Sequence, residues 1–244
     1  MTPVERGSRA EQLGRIFLAA VLVAFLPALP FGNFLAYPFA ILTTWFHEMG
    51  HGLTALVLGQ DFQRLVIYSD GSGFAETTMI GIPHPVESAM IAAGGPLGPS
   101  VFGAGLILAS GWPRLWRPAL YFLAAALLVS ALIWVRSAIG LVMLPLLAIG
   151  IAALALRAKD AMLRFALQFL GMVAALSMFR DWGYLFSESG YVGGNLMLSD
   201  TGAIERNLFM PHWFWAIMIM LASAVLIGGS LKIALAGPAG SSSR

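Results

Sequence analysis

The sequence contains no cysteine. That excludes a disulfide framework and a cysteine zinc site, and leaves histidine and carboxylate as the residues able to ligate a metal. Charge is the second scarcity. Only 11% of the 244 residues are charged, against about 25% in an ordinary soluble domain. With 59% hydrophobic residues and a mean hydropathy of +0.82, the composition is that of a polytopic membrane protein. There is no basic patch either: the formal net charge is +2 and the basic residues sit singly at segment ends, which argues against a nucleic-acid partner. No internal repeat is evident, and intramembrane charges are few, both of which count against a transporter.

The apolar runs order the chain into a polar amino-terminal tail (1–14), a single transmembrane domain (15–235) and a small, polar, flexible carboxyl-terminal tail (236–244). The first run follows Arg6, Arg9 and Arg15 but lacks a small-x-small cleavage site, so it reads as an uncleaved span over about 15–31. Later spans are expected over about 34–58, 87–108, 118–135, 138–156, 165–179 and 212–233. Between 59 and 83 the pattern changes. Two β-prone runs flank Asp70-Gly71 and predict a hairpin whose open edge could take up an extended peptide. The expected fold is therefore an all-α polytopic membrane protein of about seven transmembrane helices with a short β-hairpin after the second. Arg136 predicts either a very tight turn or a partly buried arginine, and 157–164 a basic turn. Basic residues divide evenly between the two sides, although the arginines before the first span favour a cytoplasmic amino terminus.

The second span carries Phe46-His47-Glu48-Met49-Gly50-His51-Gly52. Four residues apart on a helix, His47 and His51 share a face and can reach one metal ion. Glu48, turned about 100° from His47, suits a group that takes a proton from metal-bound water without ligating the metal. Titratable groups in an apolar segment are costly to hold, so function is their default explanation. A third protein ligand is needed, and two aspartates compete for it. Asp181 ends a span on the same side as the histidines, but could simply pair with Arg180. Asp200 lies in a polar segment that could fold back, but could simply cap a short helix over 201–207. Glu188, Glu205, His84 and His212 are weaker candidates. The run Ala93-Gly94-Gly95-Pro96-Leu97-Gly98 opens the third span with a G-x-x-x-G spacing that favours close helix packing or shapes the wall of the site.

Taken with the hairpin, the glycine-rich run, and Ser199-Asp200 before a final span opened by Pro and Trp, this motif resembles the membrane-embedded zinc metallopeptidases of the site-2 protease type, family M50, and most closely its small M50B-like branch. The resemblance covers about 40–220. It implies bound Zn²⁺, Glu48 as general base, and hydrolysis of a peptide bond within or beside the membrane. The Asn-Pro-x-x-Asp-Gly signature that supplies the third ligand in well-known members is absent, which leaves Asp181 and Asp200 both open. There is no PDZ-like insertion, so substrate selection falls to the spans or to a membrane partner protein. The expected partners are a membrane protein or peptide substrate and the lipid bilayer, in a multi-pass protein of the plasma membrane. The competing class is a non-catalytic metal-binding membrane protein, either a transporter or a degenerate protease-like chaperone; against the latter, none of His47, Glu48 and His51 is lost.

Overall fold

In a bilayer every backbone N–H and C=O must find a partner inside the protein, which forces apolar runs into helices. The computed structural model describes residues 30–82, 84–180 and 182–236, with isolated helical positions between 14 and 25. Eight labelled helices follow in order: α1 (Gly32–Val57), α2 (Pro85–Ser110), α3 (Trp116–Ile133), α4 (Ala138–Arg157), α5 (Asp160–Arg180), the short α6 (Trp182–Leu185) and α7 (Asp200–Asn207), and α8 (His212–Ala236). Strands β1 (Asp61–Ile67) and β2 (Gly73–Thr78) lie between α1 and α2, and β3 (Ser189–Val192) and β4 (Asn195–Leu198) between α6 and α7.

Among the described residues five helical segments are long and apolar enough to cross a membrane: Pro85–Ser110, Pro113–Ile133, Ala138–Arg157, Asp160–Ser177 and His212–Ala236. Their outward faces carry exposed Phe122, Leu132, Val142, Ile149 and Val225, a surface suited to lipid. α1 is as long as α2 but is not among the five, because His47, Glu48 and His51 interrupt its hydropathy. The run expected to form the first span, 15–31, lies mostly outside the described residues.

α1 runs through the core. Ile41, Leu42, Trp45 and Phe46 are almost fully buried; Trp45 Nε1 donates to Ser130 Oγ at 2.8 Å, and Phe46 stacks on Phe102 of α2 with ring centroids 4.9 Å apart. The two helices cross at glycines. A Cβ on Gly98 would lie 2.4 Å from the Phe46 carbonyl oxygen, and one on Gly50 would lie 2.2 Å from that of Gly94. Small residues on both sides bring the backbones into direct contact. α2 also packs on α5, α7 and α8, which makes it the hub.

The expected hairpin is present, antiparallel from Asp61↔Thr78 to Ile67↔Gly73 with an irregularity between Phe62 and Arg64. Its turn is tied to α1 by Tyr37 Oη donating to the Ser69 carbonyl (3.1 Å) and Thr44 Oγ1 to that of Gly71 (2.5 Å). The outer edge of β1 is met by the α3–α4 turn: Leu65 N donates to the Trp134 carbonyl (2.8 Å) and Arg136 N to that of Leu65 (2.9 Å). Arg136 is exposed in a tight turn, and its guanidinium caps the carbonyls of Ile133 and Val135.

One expectation changes. The basic turn expected over 157–164 shrinks, because α5 starts at Asp160 and Arg164 is buried within it. The polar segment before α7 holds a second hairpin: β3 and β4 pair from Ser189↔Leu198 to Val192↔Asn195 around Gly193 and Gly194, whose φ values of 55° and 80° suit a tight two-residue turn that favours glycine.

Because backbone atoms cannot swing aside, Gly98→Ala is expected to destabilise the protein by about 1–3 kcal/mol. Gly105→Ala, where a Cβ meets nothing within 4 Å, is expected to be neutral. Thermal unfolding of both variants in detergent checks this.

Candidate metal centre

His47 and His51 project from successive turns of α1 with their Nε2 atoms 3.2 Å apart. Asp200, the first residue of α7, reaches both: Oδ2 is 3.0 Å from His47 Nε2 and Oδ1 is 3.2 Å from His51 Nε2. Asp200 is buried. Burial works against its carboxylate, but the imidazoles of His51 and His47 outweigh that and hold its pKa below the usual range.

The geometry is that of donors aimed at a common point. Ligand atoms around a tetrahedral ion with bonds of about 2.0–2.1 Å sit roughly 3.3 Å from one another, close to the separations found here. Oδ2 of Asp200 is buried with no hydrogen-bond partner despite its short distance to His47, so hydrogen bonding leaves this ligand oxygen unsatisfied. His51 Nδ1 lies 2.8 Å from the Ile91 carbonyl of α2. A proton on Nδ1 leaves the Nε2 lone pair pointing into the cluster, the outer-sphere support typical of metal-binding histidines. Among the described residues His47, His51 and Asp200 form the group that could hold a metal ion, and two imidazoles with a carboxylate are a donor set that suits zinc.

Asp200 owes its position to its neighbours. Ser199 caps α7, its hydroxyl accepting from Gly202 N at 3.0 Å while donating to the Ser187 carbonyl. Thr201 Oγ1 donates to the Leu185 carbonyl at 2.7 Å, and Ser199 N to that of Glu188 at 3.0 Å. Since Ser199 does the capping, the Asp200 carboxylate is left to face the histidines. α2 closes the other side: a Cβ on Gly95 would fall 2.1 Å from His51 Nε2 and 2.8 Å from His47 Nε2. The glycine-rich run therefore packs the helices and shapes the site at once.

Glu48 is buried one residue along from His47. Its carboxylate lies against β2, where a Cβ on Gly73 would come within 2.8 Å of Oε1, and the Ala75 backbone amide hydrogen-bonds to it. The second hairpin roofs this region. Gly193 N donates to Ser72 Oγ at 3.0 Å, and Gly193 sits on the ring of Tyr68, so the tips of the two hairpins meet.

Of the other sequence candidates, Asp181 lies outside the described residues. Glu188 contributes only its carbonyl to holding Ser199. His84 caps α2, accepting from Val86 N at 3.3 Å. Glu205 and His212 pair with each other at 2.7 Å, and the hydrogen bonds from His212 lower the pKa of Glu205. Sequence reasoning missed the hydroxyl anchors of Ser199 and Thr201 and the contact of Ser72 with Gly193; Ser199-x-x-Gly202 had the form of a cap, whereas nothing local marked the hairpin contact.

Fold and site together define a multi-pass helical membrane protein in which two partly buried histidines and a buried aspartate form a cluster able to hold a metal. The Peptidase M50B-like family model matches residues 16–230, and the chain belongs to that family. No curated protein and no solved structure matches it.

Ser72→Ala removes the acceptor for Gly193 N. Faster amide hydrogen exchange over residues 189–198, with exchange in α1 unchanged, is the expected result; mass spectrometry of the detergent-solubilised protein reads it.

Proposed function

We propose that this protein is a zinc-dependent endopeptidase that cuts peptide bonds within or beside the membrane. The observation that carries this reading is the convergence of His47 Nε2, His51 Nε2 and the Asp200 carboxylate next to a buried glutamate that lines the same cavities. His47, His51 and Asp200 would hold the ion; no role is assigned to Asp181. Bound there, zinc supplies Lewis acidity, polarising a carbonyl and bringing the pKa of water toward about 7.

Glu48 takes the proton of the attacking water on its carboxylate and can pass it to the departing amine. Its position against β2 puts that carboxylate beside the strand edge not used by β1. An extended substrate segment that adds to this edge would present its backbone to the site. A membrane helix shields its own peptide bonds by internal hydrogen bonding, so the substrate must unwind locally first. The buried position of Glu48 keeps bulk water from competing for its proton.

In this reading α1 and the run before residue 30 also span the bilayer, giving about seven crossings in a plasma-membrane protein. Substrates are membrane proteins or peptides, chosen by the spans or by a membrane partner.

Metal content is the first test. Wild type is expected to carry about one zinc per chain after purification in detergent, measured by mass spectrometry, and His47→Ala and Asp200→Ala to lose it while Asp181→Ala retains it. Zinc lost from Asp181→Ala and kept by Asp200→Ala would overturn the ligand assignment. Glu48→Gln is expected to keep its zinc and fold but lose at least about 100-fold in cleavage rate; cleavage at the wild-type rate would sink the mechanism in favour of a non-catalytic role.

A further inference from the structure

The cluster of His47, Glu48 and Asp200 stands between two cavities that share it as a common wall. They also share Gly73, Tyr184 and Val192, and differ elsewhere. The smaller, about 210 Å³, runs between Phe74 of β2, Ile91 and Ala92 of α2, Met197 and Leu198 of β4, and Ala203 of α7. These side chains make one wall hydrocarbon, while Thr77, Ser88 and Tyr184 also line the cavity. The larger, about 250 Å³, is lined by the hydroxyl-bearing Thr43, Thr44, Ser72, Ser177 and Tyr191 beside Pro96, Pro99 and Leu185.

Three of these hydroxyls have a direction. Thr44 Oγ1 donates to the Gly71 carbonyl and Ser177 Oγ to that of Ala174. Those two hydrogens, and that of Thr43, which goes to the Ala40 carbonyl, are committed to the backbone and leave their oxygens to act as acceptors, whereas Ser72 Oγ is already engaged with Asp70 and Gly193. A group that enters this cavity is best held when it brings a hydrogen-bond donor. No lysine or arginine lines either cavity, and the charged or titratable side chains other than tyrosine are those of the centre itself. A substrate side chain with a formal charge would therefore be desolvated without a counter-ion.

We infer that the protein chooses its cleavage position with two unlike subsites: the β4 side seats a bulky apolar side chain on one flank of the scissile bond, and the Thr44–Ser177 side takes a small hydrogen-bonding side chain on the other. The inference rests on the peptidase reading above and adds the substrate class to it. It gives the second hairpin a role in specificity, since Met197 and Leu198 belong to the roof and not to the metal-bearing helix.

The test uses full-length, zinc-loaded protein in detergent and a library of octapeptides randomised at the two central positions. Cut sites are read by mass spectrometry, and binding of the same dye-labelled peptides to Glu48→Gln by fluorescence polarisation. Both readouts are expected to favour Leu, Ile, Met or Phe on one flank and Ser, Thr, Ala or Gly on the other, by roughly 10-fold or more over Asp, Glu, Lys or Arg. Met197→Trp, which fills the apolar cavity, is expected to move the bulky preference to Ala or Val by about 10-fold, and Met197→Ala to move it toward Phe. A flat profile, equal use of charged residues, or a preference unmoved by both Met197 variants overturns the subsites while leaving proteolysis standing. Selective binding to Glu48→Gln with no cutting by wild type supports the subsites and overturns the peptidase reading.

Discussion

The close crossing of α1 and α2 is the constraint on which the site depends. Gly50, Gly94 and Gly98 let the two backbones touch, and Gly95 leaves room for the imidazoles of His47 and His51 at the same crossing. If the helices stood at the wider separation that larger side chains impose, the Ile91 carbonyl could not reach His51 Nδ1, whose distance is now 2.8 Å. Helix packing and ligand orientation are therefore one problem with one solution. α2 also bears on α5, α7 and α8, so a shift at the crossing would reach the carboxylate of Asp200 as well.

Burying two carboxylates, with two imidazoles partly buried beside them, among apolar helices carries a large desolvation cost. The arrangement offsets part of it by placing opposite charge close together, and the unsatisfied Asp200 oxygen marks what remains. A cation would remove that residue of cost, which is why the same feature speaks both to stability and to function. Glu48 is handled differently. It rests on the backbone of β2 rather than on another side chain, which leaves it beside the ligand cluster without forming part of it.

The two hairpins add a part that transmembrane helices cannot supply. Helices satisfy their own backbones and present only side chains, whereas a strand edge offers free backbone groups at a fixed spacing. β1 is held on its far side by the α3–α4 turn and β2 is left open toward the centre. The second hairpin then covers that opening, joined to the first through Ser72 and Gly193.

The sequence by itself determined the membrane class, most helix positions, the first hairpin, and the pairing of His47 with His51, because each follows from local periodicity: apolar runs of bilayer length, a turn dipeptide, and the four-residue repeat of a helix. Arg164 escaped, since its charge reads as a loop while burial within α5 depends on what surrounds it. The second hairpin escaped too, its strands being only 4 residues each. Tertiary structure alone brought Asp200 to the histidines across about 150 residues of chain, through the hydroxyls of Ser199 and Thr201 holding α7 against the end of α6 and the loop after it. Such a placement is fixed by contacts between distant segments, which no spacing along the chain encodes.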